Sequence, residues 1–218
     1  MAQNDPHYVP AFGVHGLTRY YDSFAKLVNP LRHRLLQQAD IQPGQRVLDL
    51  GCGTGLLTIM IKQSVPEAHV TGLDADEEVL KIARDKSHGA DIQWDQAFAF
   101  DMPYPDQSFD VVVSSFVTHH LTGTDKLRAF REVHRVLRPD GCFYILDFGP
   151  PFNLLTRFQA SVMKNFEIMA DNFAGKIPLI LAEADFPSAK EAGHAIMFFG
   201  PVAFYQACRG TIQEKKND

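Results

Sequence analysis

The sequence predicts an α/β fold, a mostly parallel sheet covered by helices on both faces, and three observations carry that reading. Short strand-like runs alternate with helix-patterned segments from residue 46 to residue 148, a glycine-rich turn joins the first run to its helix, and the C-terminal part reads as two strands with no helix between them. The 218 residues are enough for one large domain with a full core. Without repeats or Gly/Ser linkers, the expected layout is a single domain over 1–218. It comprises N-terminal helices in 1–40, a central unit over 45–148, a helical insertion over 150–190 and a closing hairpin over 192–209.

The elements follow in order. Apolar residues recur at helical spacing between Leu17 and Gln38, and Pro30 suits the opening turn of the second of two short helices. "RVLDL" (46–50) reads as a buried strand, and "GLLTIMIKQSV" after the glycines as a helix that ends before Pro66. "AHVTGLD" (68–74) is the next strand. Residues 75–87, acidic at the start and basic at the end, match the helix dipole. "ADIQW" (90–94) is a third strand, and a loop broken by Pro103 and Pro105 leads to "FDVVVSSF" (109–116), β-branched enough for a central parallel strand. An amphipathic helix over 125–137, a turn at "RPDG" and a strand over 142–148 complete the alternation. Beyond it, 152–170 is helical with a stripe through Phe152, Leu155, Phe158, Val162, Phe166 and Met169, read as core packing in preference to a lid. Residues 193–209 form two strands joined at Gly200 and Pro201, which would give the sheet an antiparallel edge.

Composition narrows the function. A net charge of −5, a pI near 6.0 and scattered basic residues offer no footprint for nucleic acid, so a small-molecule partner is expected. Cys52, Cys142 and Cys208 are odd in number, far apart and without a CxxC, which suggests neither a disulfide framework nor a metal site and leaves the thiols reduced. "MAQNDPHYVP" lacks a basic segment followed by an apolar one, and no stretch has the apolar length of a membrane span. The expectation is a cytoplasmic protein without stable membrane insertion.

The turn in "VLDLGCGTG" (47–55) decides what is bound. Its glycines fall at 51, 53 and 55, with Leu56 where a dinucleotide fingerprint asks for glycine, and there is no G-K-[ST] to cradle a phosphate. Asp49, two residues ahead of the loop, would repel a pyrophosphate and attract an ammonium or sulfonium. Asp74, ending the second strand, is placed to accept hydrogen bonds from two ribose hydroxyls, although it could instead cap the helix that follows. A nucleoside without phosphates but with a cationic centre satisfies both carboxylates, and S-adenosylmethionine is such a molecule.

At these residues the sequence closely resembles the class I S-adenosylmethionine-dependent methyltransferases. The resemblance runs through "VLDLGCGTG", "GLD", "MPYPDQSFDVVVSSFVTHHL" and "REVHRVLRPDGCFYILDF". The tail, with "AEADFPSAKEAGHAIMFFGPVAFYQACR", resembles the small-molecule branch near the ubiquinone and menaquinone C-methyltransferases. It implies a Rossmann-like, doubly wound sheet of seven strands whose core, 45–148, binds the cofactor beneath the N-terminal helices. By position, Asp49 and the backbone of Gly51, Cys52, Gly53 and Gly55 would line the methionine end. Asp74 would hold the ribose and Ala75 would lie against adenine. Ser115 and Phe116 would offer carbonyls to the ammonium, and Tyr21 in "RYYD", with Tyr20 as the alternative, would close over the cofactor. Phe98 stands where the family has an Asp that accepts from the adenine amino group; Ala99 N–H and the Phe98 ring remain to meet the base, and Asp101 is the alternative acceptor.

The resemblance implies an enzyme that transfers methyl to a small acceptor, aromatic or amphipathic, at carbon, oxygen or nitrogen. The rival is a non-catalytic relative that binds cofactor or partner, motivated by Phe98. His120, and behind it His119, lie just beyond the fourth strand where an acceptor would approach, as candidates for taking its proton. The bland alternative is that they shape the pocket. No metal is implied.

Overall fold

The structure, a computed structural model, describes residues 26–163 and 169–210. Seven strands form one sheet in the order β3-β2-β1-β4-β5-β7-β6. They are β1 (Arg46–Leu50), β2 (His69–Asp74), β3 (Ile92–Gln96), β4 (Phe109–Ser115), β5 (Leu137–Phe148), β6 (Lys190–Met197) and β7 (Gly200–Cys208). β1 to β5 pair in parallel, and β7 runs antiparallel to both β5 and β6, so the sheet is mostly parallel with an antiparallel C-terminal hairpin. The helices are α1 (Asn29–Ala39), α2 (Leu56–Ser64), α3 (Glu77–Lys86), α4 (Gly123–Val136), α5 (Leu154–Met163), α6 (Ala170–Phe173) and α7 (Ile177–Glu183).

Successive strand residues face opposite sides of the sheet and so feed two cores. Leu48, Leu50 and Val112 pack with Phe130 and Val133 of α4 and with Ile177 and Leu181 of α7. Val47, Val111 and Val113 pack with Leu35 of α1 and Leu57 and Ile61 of α2. Pro30 sits in the first turn of α1, where its missing N–H costs nothing. Asp76 caps α3 by accepting Glu78 N–H at 2.9 Å, and Thr122 caps α4 by accepting Asp125 N–H at 3.2 Å. Arg135 of α4 clamps the loop after β3, donating to the carbonyls of Tyr104 (2.7 Å) and Met102 (3.1 Å) and pairing with Glu132 and Asp106.

Several expectations need correction. β3 starts at Ile92, and β5 starts at Leu137, so the "RPDG" turn is an irregularity within that strand, where the register with β4 shifts. The hairpin turns at Phe198 and Phe199, while Gly200 and Pro201 open β7, a position at which a strand tolerates proline. The stripe on 152–170 is not core: Phe152, Leu155 and Phe158 are exposed, and α5 turns its small residues Thr156 and Ala160 inward against β7. Packing against a flat strand surface favours that small face over the bulky one, and Gln159 Nε2 secures it by donating to Met197 O at 3.0 Å. Val162 and Phe166 fall on residues whose side chains are not described, and the expected first N-terminal helix falls before residue 26. Cys142 and Cys208 are bonded to each other: they face each other as register partners on β5 and β7, 66 residues apart in sequence. Antiparallel pairing of distant strands made them neighbours, which sequence spacing cannot reveal.

Candidate functional site: a nucleoside-sized crevice at the sheet's carboxyl edge

The strand order reverses between β1 and β4, and in a doubly wound sheet ligands bind in the crevice outside the carboxyl ends at that point. A cavity opens there. The backbone of the loop after β1 is anchored by Gly51 N–H and Cys52 N–H, which donate to Leu73 O at 2.8 and 3.0 Å. Gly51 adopts φ +71°, and a Cβ there would stand 2.4 Å from Val117, so the loop lies too close to the β4 exit for any side chain. At Gly53 nothing lies within 4 Å of where a Cβ would be, which leaves its backbone open to a ligand. Beneath the loop, the Trp94 indole occupies the space that a Cβ on Gly55 or Gly72 would need.

Asp49 and Asp74 both line the cavity. Asp49 Oδ2 accepts the Thr58 hydroxyl at 2.6 Å, and burial raises its carboxyl to about 6 despite the counteracting Thr58 bond and the Arg32 charge. Asp74 accepts Gly53 N–H on one oxygen (2.8 Å) and Asp76 N–H on the other (3.0 Å); burial pushes its carboxyl up as well. Asp76, not Asp74, caps the helix, so Asp74 has no capping role to explain it. Arg32 of α1 reaches the same cavity, donating to Ser115 Oγ at 3.3 Å and Asn29 Oδ1 at 3.2 Å.

Gly51, Cys52, Gly53, Ala75, Phe98, Ala99, Ser115, Phe116 and His120 all line this cavity. Phe116 holds φ +59°, a conformation costly for an aromatic residue that is seen where a site over-determines the backbone. Gly55 does not line the cavity; its role is to let Trp94 and Ala83 pack closely. Asp101 is exposed and outside the wall, so it is no substitute for the acid missing at Phe98. Cys52 is a free, buried thiol, which burial and the neighbouring carboxylates push well up, away from the thiolate. Tyr20 and Tyr21 lie outside the described residues.

On the acceptor side, His119 is not on the cavity wall but lies against His120, ring centroids 4.0 Å apart and planes tilted by 40°. His119 Nδ1 lies 2.7 Å from Asp147 Oδ1, and Asp147 Oδ2 accepts the Thr118 hydroxyl at 2.6 Å and His119 N–H at 3.1 Å. Burial would raise the Asp147 carboxyl, but the contact with His119 and these bonds outweigh it and hold it below the usual range. Burial pushes His120 down to about 4, with the His119 charge acting in the same direction and Asp147 opposing. Phe148 packs edge-on against Phe116, Phe173, Phe199 and His119, at 4.9 to 5.9 Å.

Sequence reasoning missed Arg32 and Asp147. Arg32 occupies the α1 face that also carries Leu35 and Ala39, and a cation on an apolar face was its signal. Asp147 near the end of β5 repeats the pattern of Asp49 and Asp74, an acid at the carboxyl end of an apolar strand.

The residues fit S-adenosylmethionine. One buried and one half-buried carboxylate suit a cationic centre and a ribose diol, one arginine suits a carboxylate, and an open glycine backbone admits close approach; a polyphosphate would meet more acid than base. Fold and crevice are those of a Rossmann-like nucleoside-binding domain, and comparison with known proteins finds methyltransferases among its relatives. Residues 47–141 match the methyltransferase domain family. A demethylmenaquinone methyltransferase of Lactobacillus johnsonii is 37% identical over 159 residues, 66% of this chain and 64% of its own length. A ubiquinone/menaquinone biosynthesis C-methyltransferase of Vibrio vulnificus is 37% identical over 147 residues, covering 63% and 56%. The chain thus spans less than two thirds of these relatives. Among solved structures, phosphoethanolamine N-methyltransferase 2 of Haemonchus contortus, in complex with phosphomonomethylethanolamine and S-adenosylhomocysteine, superposes with a TM-score of 0.69 at 17% identity, covering 83% of this chain and 52% of that one. An S-adenosylmethionine-dependent methyltransferase of Aquifex aeolicus gives 0.61 at 19%, covering 81% and 88%. The similarity to S-adenosylmethionine-dependent methyltransferases is thus carried by the core of the chain, residues 47–141. Among the described residues, no helix is long and apolar enough to cross a membrane and no cluster of side chains could hold a metal.

Proposed function

We propose that this protein transfers a methyl group from S-adenosylmethionine to a small, flat acceptor bearing a hydroxyl, a phenol- or quinol-type ring methylated at ring carbon or oxygen. The observation that carries the reading is the aromatic cluster of Phe116, Phe148, Phe173 and Phe199, of which Phe116 reaches the crevice wall together with His120. The relatives named for quinone biosynthesis support a ring acceptor. On this reading Asp49 faces the cationic end, Asp74 the ribose, and Arg32 the carboxylate of the methionyl moiety.

When bound, the cofactor supplies an electrophilic methyl on a sulfonium. Held by Asp49, Asp74 and Arg32, it would supply that methyl to the acceptor's carbon or oxygen, the electron pair of the broken carbon–sulfur bond staying on sulfur. The acceptor's proton passes to His120, whose ring is neutral at pH 7 because burial disfavours its charge. The proton gained by His120 would offset the positive charge lost from the sulfonium, leaving the net charge of the crevice unchanged. Asp147 and His119 act as positioning residues that hold the His120 ring and place a negative charge behind it. Holding the reactants aligned supplies up to about 7–11 kcal/mol, and proton removal by His120 a further factor of about 10²–10⁴.

The test is incubation with S-adenosylmethionine and either catechol or anaerobic 1,4-naphthohydroquinone, with mass detection of a methylated product. The expected result is product from wild type and loss of about 100-fold or more in kcat for His120→Gln, with affinity for S-adenosylhomocysteine retained. Tight product-nucleoside binding with no methylation of either ring would overturn this reading in favour of a non-catalytic relative.

A further inference from the structure

We infer that the purine end of the crevice is read by stacking on Phe98 and Phe100, without a carboxylate to take the N6 hydrogens, so that the site accepts adenosyl ligands alkylated at N6. The inference rests on the methyltransferase reading above and concerns which nucleosides that site tolerates.

A base attached to a ribose held at Asp74 extends over Ala75 toward the exit of β3, where Ala97, Phe98, Ala99 and Phe100 line the wall. The Phe98 and Phe100 rings are stacked, 9° from parallel with centroids 5.1 Å apart. The Arg128 guanidinium covers the Phe100 ring, 4.3 Å from its centroid, and steadies the pair. Polar groups at this end already have partners. Asp76 accepts Glu78 N–H as the helix cap, the Phe98 carbonyl accepts Asp101 N–H at 3.1 Å, and the Ala75 carbonyl accepts from Gln96 Nε2 at 3.1 Å. Asp101 itself is exposed and off the wall. Among the described residues, no side chain from the β3 exit therefore offers an acceptor to an exocyclic amine.

The consequence for selectivity is chemical. A site built to hydrogen-bond an N–H rejects an analogue that lacks it, because its own buried acceptor is left unpaired. A stacking wall carries no such penalty, since every purine presents the same π face, and an added methyl meets the apolar surface of Val79, Ala97 and Ala99.

The experiment is calorimetric titration of the full chain with S-adenosylhomocysteine and with its N6,N6-dimethyl analogue, repeated on Phe98→Leu and Phe98→Asp, with thermal melts to establish that each variant is folded. Wild type should bind the two ligands within about fivefold of each other, whereas Phe98→Leu should weaken both alike by about tenfold through loss of stacking. Phe98→Asp should favour the unmethylated ligand by about tenfold or more, as a new acceptor makes the N6 hydrogens count. Wild-type binding of S-adenosylhomocysteine with rejection of the dimethyl analogue, or unchanged affinity in folded Phe98→Leu, overturns the inference and leaves the methyltransferase reading intact. Absence of heat with either ligand overturns both.

Discussion

Ligand binding should depend on pH through Asp49. Its carboxyl, raised from 3.8 to about 6 chiefly by burial, faces the crevice where a cationic group is expected. A rise of this size means that ionising Asp49 costs the unliganded fold about 3 kcal/mol. Because the folded value lies above the unfolded one, the unliganded protein binds the extra proton and loses stability as pH rises from about 4 through 6. A cation in the crevice reverses this by favouring the carboxylate. If only the ionised form binds, about nine-tenths of the protein is incompetent at pH 5. S-adenosylhomocysteine, which retains the ammonium, should then bind about tenfold more weakly at pH 5 than at pH 8 and release about half a proton at pH 6. Calorimetry in two buffers of different ionisation enthalpy measures that proton directly. Asp49→Asn should remove most of the release and of the pH slope, leaving any part that Asp74 carries, and should be more stable than wild type at pH 8 without ligand, by up to about 3 kcal/mol. Affinity that is flat from pH 5 to 8 with no proton released, or an Asp49→Asn protein no more stable at pH 8, would refute the reasoning.

Other outcomes are open to simpler measurements. Gly51→Ala should cost about 1–3 kcal/mol and most of the ligand affinity, because its Cβ meets Val117 and its backbone is left-handed; Val117→Ala in the same chain should recover only part, since the φ penalty stays. Denatured, unreduced protein should titrate as one free thiol, Cys52, and reduction of the Cys142–Cys208 bond should lower stability by about 2–4 kcal/mol; three thiols before reduction would refute the pairing. Arg135→Ala should cost about 1–3 kcal/mol, because the buried ends of the loop carbonyls at Met102 and Tyr104 lose a charged donor, and chemical denaturation reads that loss.

The parallel core was legible because β1, β2 and β4 carry apolar, β-branched runs that stop at a polar turn, and the glycine loop has no other reason to be there. The ligand could be argued from Asp49 and Asp74 because charge type discriminates among nucleotides before any geometry is known. What escaped was set by tertiary pairing. Arg32 enters the crevice because α1 packs over β4 and β5, and nothing local to "NPLRHRLL" specifies that. Asp147 meets His119 across the gap between β4 and β5, 28 residues apart in sequence. Helix periodicity located α5 but chose the wrong face, since Thr156 and Ala160 are buried for their small size and not for hydrophobicity. The short α7 went unread because its seven residues complete too few turns to declare a period.

Trp94 is the single tryptophan of the chain, and its indole lies directly under the glycine loop, against Gly55 and Gly72. Any rearrangement of that loop alters the surroundings of a lone native fluorophore. The protein thus carries a built-in optical probe at its crevice: emission can follow ligand entry in real time, on unlabelled material and with no competing indole signal from elsewhere in the chain.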